Sequence, residues 1–114
     1  MNIEVSFKGL KPRREVKERA EALFKKLHRF LVPSSEARLL VAVSHGNAVL
    51  ELVISKKGQT FKAEHEHSDL RTALDQLFHT MEGQLRRSKE RELDRRRGGS
   101  PEVDAERQTA ADSL

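Results

Sequence analysis

Two helical apolar stripes, separated by three short strand-like runs, restrict what this 114-residue chain can fold into more than any other feature. The first stripe is Val16, Ala20, Leu23, Phe24, Leu27 and Phe30, a spacing that predicts one helix through about residue 31. Pro12 suits its first turn, and Pro33-Ser34-Ser35 ends it. The second stripe is Leu70, Ala73, Leu74, Leu77, Phe78, Met81 and Leu85, with Ser68 or Asp69 as the cap. Between them lie Ala37–Ser44, Ala48–Ser55 and Thr60–His67, joined tightly at His45-Gly46-Asn47 and Lys57-Gly58. Ahead of them, Asn2–Phe7 alternates with Ile3, Val5 and Phe7 on one side, the pattern of a half-buried strand.

The predicted order is therefore β-α-β-β-β-α, an α+β fold. Two amphipathic helices need a common apolar surface, and a four-stranded sheet with both helices on one face supplies it. The first two strands should be parallel around a right-handed crossover, and the hairpins make the rest antiparallel. Past Leu85 the apolar stripe nearly stops, because Leu93 is the one large apolar residue in Arg86–Arg97. The segment remains rich in helix formers, so the second helix is expected to run on as a basic rod. The composition shifts at Gly98-Gly99-Ser100-Pro101, which predicts a folded domain over 1–97 and a disordered acidic tail over 98–114.

Several classes fall away. No apolar run approaches the roughly 18 residues of a membrane helix, and MNIEVSF lacks the layout of a signal peptide. With no cysteine there are no disulfides, thiol nucleophiles or Cys-based zinc sites. The expectation is a cytoplasmic protein with no membrane partner. There is no Walker-type loop, GxGxxG, nucleophile elbow or HExxH, so neither an enzyme nor a bound cofactor or small-molecule substrate is expected. His65 and His67 face the same way on a strand near Glu64, Glu66 and Asp69, but two placed ligands make a poor metal site. A solvated strand end is the expectation there.

Charge is more informative in its distribution than in its total of +4. Residues 1–30 carry nine cations against four carboxylates, and 84–97 carry seven against three. The middle, 31–83, is slightly acidic, and 98–114 carries one cation against four carboxylates. On the first helix Lys11, Arg14, Lys25 and Arg29 lie opposite the apolar stripe, with Arg19 and Lys26 flanking it. Glu15–Arg19 and Glu21–Lys25 could equally make that a solvated face of i,i+4 pairs. The rod is harder to explain as solvent exposure. Arg86, Arg87, Lys89, Arg91, Arg95, Arg96 and Arg97 suit phosphate neutralisation, and Arg over Lys favours bidentate contacts. All five aromatics are Phe on faces assigned to the core, so none is left to stack on unpaired bases. The expected mode is recognition of folded RNA through backbone and shape.

Phe61-Lys62-Ala63, Ser68-Asp69-Leu70, Ala73-Leu74-Asp75, Gln84-Leu85 and the basic run through Lys89 form an ordered set. That set resembles the ribosome hibernation-promoting factor family, also called ribosome-associated inhibitors or sigma-54 modulation proteins, over about residues 1–97. The resemblance implies a β-α-β-β-β-α domain that docks on the small ribosomal subunit in the channel for messenger and transfer RNA. It also implies a bacterial stress or stationary-phase factor that blocks translation without catalysis. Carried onto this chain, the RNA contacts it implies are Arg86, Arg87, Lys89 and Arg91, with Lys25 and Arg29 as secondary ones. Three departures stand out. Arg71 replaces the family's frequent Tyr, the His45-Gly46-Asn47 connection is short, and nothing after Gly98 could fold into the second domain of long members. The chain is thus expected to be the short type, monomeric when free. Two other readings stay open: a protein-interaction module modulating a transcription factor, and a generic double-stranded-RNA binder.

Overall fold

The computed structural model describes residues 1–96, and the expected tail lies outside them. Seven elements follow in the order β1 (Asn2–Lys8), α1 (Arg14–Lys25), a single 3₁₀ turn (His28–Phe30), β2 (Glu36–Ser44), β3 (Asn47–Lys56), β4 (Gln59–His67) and α2 (Leu70–Arg96). The strands form one sheet in the order β1-β2-β3-β4. β1 and β2 are parallel, and the two hairpins are antiparallel. This is the α+β arrangement that the periodicities predicted.

Both hairpins turn in two residues. His45 and Gly46 have φ of 52° and 80°, and Lys57 and Gly58 have 49° and 77°. Successive positive φ values give the mirror-image turn whose twist matches that of the strands, and glycine takes the second position without steric cost. These short turns set the register. Val5, Leu39, Leu52 and Ala63 stand side by side across the four strands, as do Ile3, Ala37, Ile54 and Phe61. That row and its neighbours face the helices. Leu39, Val41, Leu50, Leu52 and Ile54 are buried against Ala20, Phe24 and Leu27 from the first helical segment and Leu74, Leu77, Met81 and Leu85 from α2. Burial of each such side chain contributes about 1.5–3 kcal/mol.

The strands begin or end within one residue of the sequence reading, and both boundaries of the first helix differ from it. Pro12 lies outside α1, because Arg13 is extended and the helix begins at Arg14. The single helix expected to residue 31 breaks after Lys25. The amide of Leu27 then bonds the carbonyl of Phe24, and that of Phe30 the carbonyl of Leu27, both at 2.9 Å. These i→i−3 bonds tighten the chain into the 3₁₀ turn. Residues three apart eclipse there, so Leu27 and Phe30 both stay on the core side. An i,i+3 spacing fits either helix, so apolar periodicity alone does not separate them.

Asp69, rather than Ser68, caps α2: its Oδ2 accepts from the Thr72 amide at 3.1 Å and from the Thr72 hydroxyl. The hydrogen bond from the hydroxyl, then that from the amide, hold its carboxyl below the ordinary carboxylate range. A depressed pKa stabilises the fold above the ordinary range, and the benefit is lost as pH falls through the depressed value. Asp69→Ala should therefore lower the melting temperature by a few degrees at neutral pH. The difference from the parent should shrink in acid, as followed by circular dichroism melts across pH.

Candidate nucleic-acid interface

β1 and β4 run in the same direction, and each is followed by a helix that returns along the sheet. The cross-links between the helical segments advance in the same order. Arg19 is bidentate to Asp75, with nitrogen–oxygen distances of 2.9 and 3.0 Å, and Arg29 pairs with Glu82 at 3.5 Å. Hence the C-terminal ends of α1 and α2 lie at one end of the molecule, where the β3–β4 hairpin also turns. The partner of Arg19 is a finding in itself: the i,i+4 spacing offered Glu15, but the side chain reaches across to the other helix.

At this shared end Phe30 organises two of the cations. The Arg29 guanidinium sits 4.6 Å from the ring centroid, and the Lys89 ammonium 5.8 Å from it. Lys89 also donates to the backbone carbonyl of Arg29 at 3.5 Å. Each cation–π contact at such an exposed position contributes about 0.5–1 kcal/mol. The ring is buried, whereas the Arg29 side chain is 66% exposed. Two cations far apart in sequence are thereby held close together with their charge facing water.

The other sequence-derived candidates distribute around this pair. Arg87 and Arg91 lie on the β4 flank of α2, lining a shallow groove with Phe61 and Gln84. Arg91 and Arg95 continue it along Gln59 and Thr60. Arg86, Lys89 and Arg91 are exposed. Lys25 is exposed in the last turn of α1, at the same end and in no ion pair among the described residues. Arg97 lies outside the described residues. The rod is anchored where it leaves the sheet: Ser88 is 8% exposed with its hydroxyl 3.5 Å from the Gln59 side-chain oxygen, and Gln84 donates to the Lys62 carbonyl at 2.9 Å.

Sequence reasoning missed Lys56 and Lys57: it ended the strand at Ser55 and read Lys57 only as part of the turn. Lys57 is exposed at the hairpin tip, whereas Lys56 is 7% exposed beneath the rod. Desolvation by burial pushes the Lys56 ammonium below the usual lysine range; Glu92 partly offsets this, while Lys57 and Lys89 add to it. A signal was present. Ala48, Leu50, Leu52 and Ile54 alternate into the core, and continuing that alternation puts Lys56 on the helix-facing side.

The histidine pair is engaged with the protein itself. His65 Nε2 is 2.8 Å from the Thr80 hydroxyl, and His67 Nδ1 accepts from the Asp69 amide at 2.9 Å. Among the described residues no three potential metal ligands gather. The sheet face away from the helices is mixed in charge, and there Lys62 bridges Glu64 at 3.3 Å and Glu51 at 3.6 Å. Its hydrogen bond to Glu64, then the charge of Glu51, raise the Lys62 pKa.

Comparisons with known proteins bear on this geometry. Residues 3–92 match the family described as sigma 54 modulation protein / S30EA ribosomal protein. The N-terminal domain of Protein Y from Thermus thermophilus superposes with a TM-score of 0.70 at 23% identity, covering 76% of this chain and 98% of that one. A ribosomal subunit interface protein from Coxiella burnetii superposes with a TM-score of 0.66 at 26% identity, covering 78% and 98%. Comparison with curated proteins finds no match.

Proposed function

The chain belongs to the sigma 54 modulation protein / S30EA ribosomal protein family, and on that premise we propose that it binds the small ribosomal subunit through ribosomal RNA. In this reading it occupies the channel of messenger and transfer RNA, inhibits translation and holds ribosomes idle in stressed or stationary bacterial cells. It acts in the cytoplasm, without catalysis. The observation that carries the reading is the shared cationic end. Arg29 and Lys89 around Phe30, Lys56 and Lys57 of the hairpin, and Arg86, Arg87 and Arg91 of the rod come from three separate parts of the chain. Such a surface suits the phosphates of a folded RNA better than a linear peptide.

Among the described residues no exposed aromatic platform for unpaired bases accompanies these cations. Phe24, Phe30 and Phe78 are buried, and Phe7 and Phe61 are packed against the core from its edges. Recognition by shape and backbone follows, and the Coxiella relative, a ribosomal subunit interface protein, supports the ribosome as the source of that RNA.

Cosedimentation with purified small subunits across a salt series tests the proposal. About six phosphate contacts give a log–log slope of roughly −4 to −5. Binding should be displaced by initiator transfer RNA and should exceed that of an arbitrary RNA duplex. Absence of cosedimentation at low salt would overturn the reading, and equal affinity for any duplex would replace it with generic double-stranded-RNA binding.

A further inference from the structure

The other end of the helix pair is also basic. The β1–α1 connection carries Lys11 and Arg13 and is flanked by Lys8 at the end of β1 and Arg14 at the start of α1, all exposed, with no acidic residue from Lys8 to Arg14. Across a groove floored by Val16, Leu70 and Leu74, Arg13 faces Arg71 of the first turn of α2. Glu15 and Asp69 line the same groove; the Asp69 carboxylate is held by Thr72 and also feels the charge of Arg71, so the cations outnumber the carboxylates there without standing alone. Arg13 and Arg71 are exposed and in no ion pair among the described residues.

Between the two ends the cross-helix pair Arg19–Asp75 sets a carboxylate against its arginine, whereas Arg29–Glu82 belongs to the Phe30 end. Positive charge therefore collects in two separate places. Arg71 and Lys89 are 18 residues apart on one helix, and at 1.5 Å per residue that is about 27 Å. They lie on the same flank of α2, since 18 residues make five whole turns.

We propose that the β1–α1 connection and Arg71 form a second phosphate-contact patch, so that the helix pair straddles two backbone segments of one folded RNA. This deepens the ribosomal-RNA reading and rests on it. Once one patch is seated, the second binds intramolecularly, so modest contacts at each end multiply. It also gives selectivity: an RNA must present phosphates at both places, which a folded subunit can do and a short single strand cannot do in a fixed geometry.

Hydroxyl-radical footprinting on purified small subunits, with affinity measured across a salt series, distinguishes one patch from two. The parent protein should protect two separate segments of ribosomal RNA backbone. Arg13→Glu/Arg71→Glu should lose protection of one of them, bind about 50-fold more weakly at 0.1 M salt and reduce the slope by about 1.5. Arg86→Glu/Arg91→Glu should lose the other. The pair Lys11→Glu/Arg14→Glu, in the loop and at the first residue of α1 and touching no helix–helix contact, should reproduce the first result even if Arg71 proves needed for folding. Parent-like affinity, slope and footprint in both N-terminal variants would overturn the second patch while leaving the function reading intact. If the parent itself fails to bind, the function reading falls, and the second patch with it.

Discussion

Reversing Arg86 and Arg91 together (Arg86→Glu/Arg91→Glu) is expected to lower small-subunit affinity by about two orders of magnitude at 0.1 M salt, with the fold intact. Each phosphate that is no longer neutralised takes about 0.7–0.9 off the salt slope, so the slope should fall by about 1.4–1.8. Both side chains are exposed on α2, on different flanks, and neither lies in an ion pair among the described residues. Exposed substitutions of this kind change stability by about 0.5 kcal/mol or less. The melting temperature should therefore stay near that of the parent. Lys89 is a less clean choice for this test, because it also holds the 3₁₀ turn through Phe30 and the Arg29 carbonyl. Unchanged affinity with an unchanged melt would remove the rod from the interface.

Lys56→Met should make the protein more stable and a weaker binder at once. Its burial disfavours the charged ammonium in the folded protein alone, and Glu92 offsets only part of that cost. Methionine keeps the stem volume without the charge. Each kcal/mol recovered raises the melting temperature by about 4–8 °C in a domain of this size. Affinity for small subunits should fall by about 5–10-fold at 0.1 M salt, since one cation leaves the shared end. The pH dependence has a definite sign. As pH rises through the depressed pKa, the folded protein releases the Lys56 proton while the unfolded chain, at its ordinary value of 10.5, still holds it. The unfolded state then binds more protons, so stability rises with pH across that alkaline window. Lys56→Met should flatten the rise. A lower melting temperature, or binding equal to the parent, would show that Lys56 is a satisfied structural residue. Keeping a cation where it costs stability is what a binding role would require.

Much of the fold was legible because its signals are local. Alternation in Asn2–Phe7 and Thr60–His67, the tight connections at His45-Gly46-Asn47 and Lys57-Gly58, and the stripe from Leu70 to Leu85 each act within a few residues. Their joint requirement for one apolar surface left little freedom in how they assemble. The break after Lys25 escaped because α and 3₁₀ geometry share the i,i+3 spacing of Leu27 and Phe30. The candidate interface was legible only by halves. Runs of arginine mark the rod, but charge density says nothing about which cations meet.

What the sequence by itself determined is the order of elements, the faces they bury and the presence of two basic segments, since periodicity and charge are written residue by residue. Only the tertiary structure decided where those charges come together. It turned Arg19 away from Glu15 onto Asp75, stacked Arg29 and Lys89 over one phenylalanine, and pressed Lys56 under the rod. The physical reason is separation along the chain. Arg29, Lys56 and Lys89 are each about 30 residues from the next, so only the parallel run of the two helices and the β3–β4 hairpin can bring them to one end.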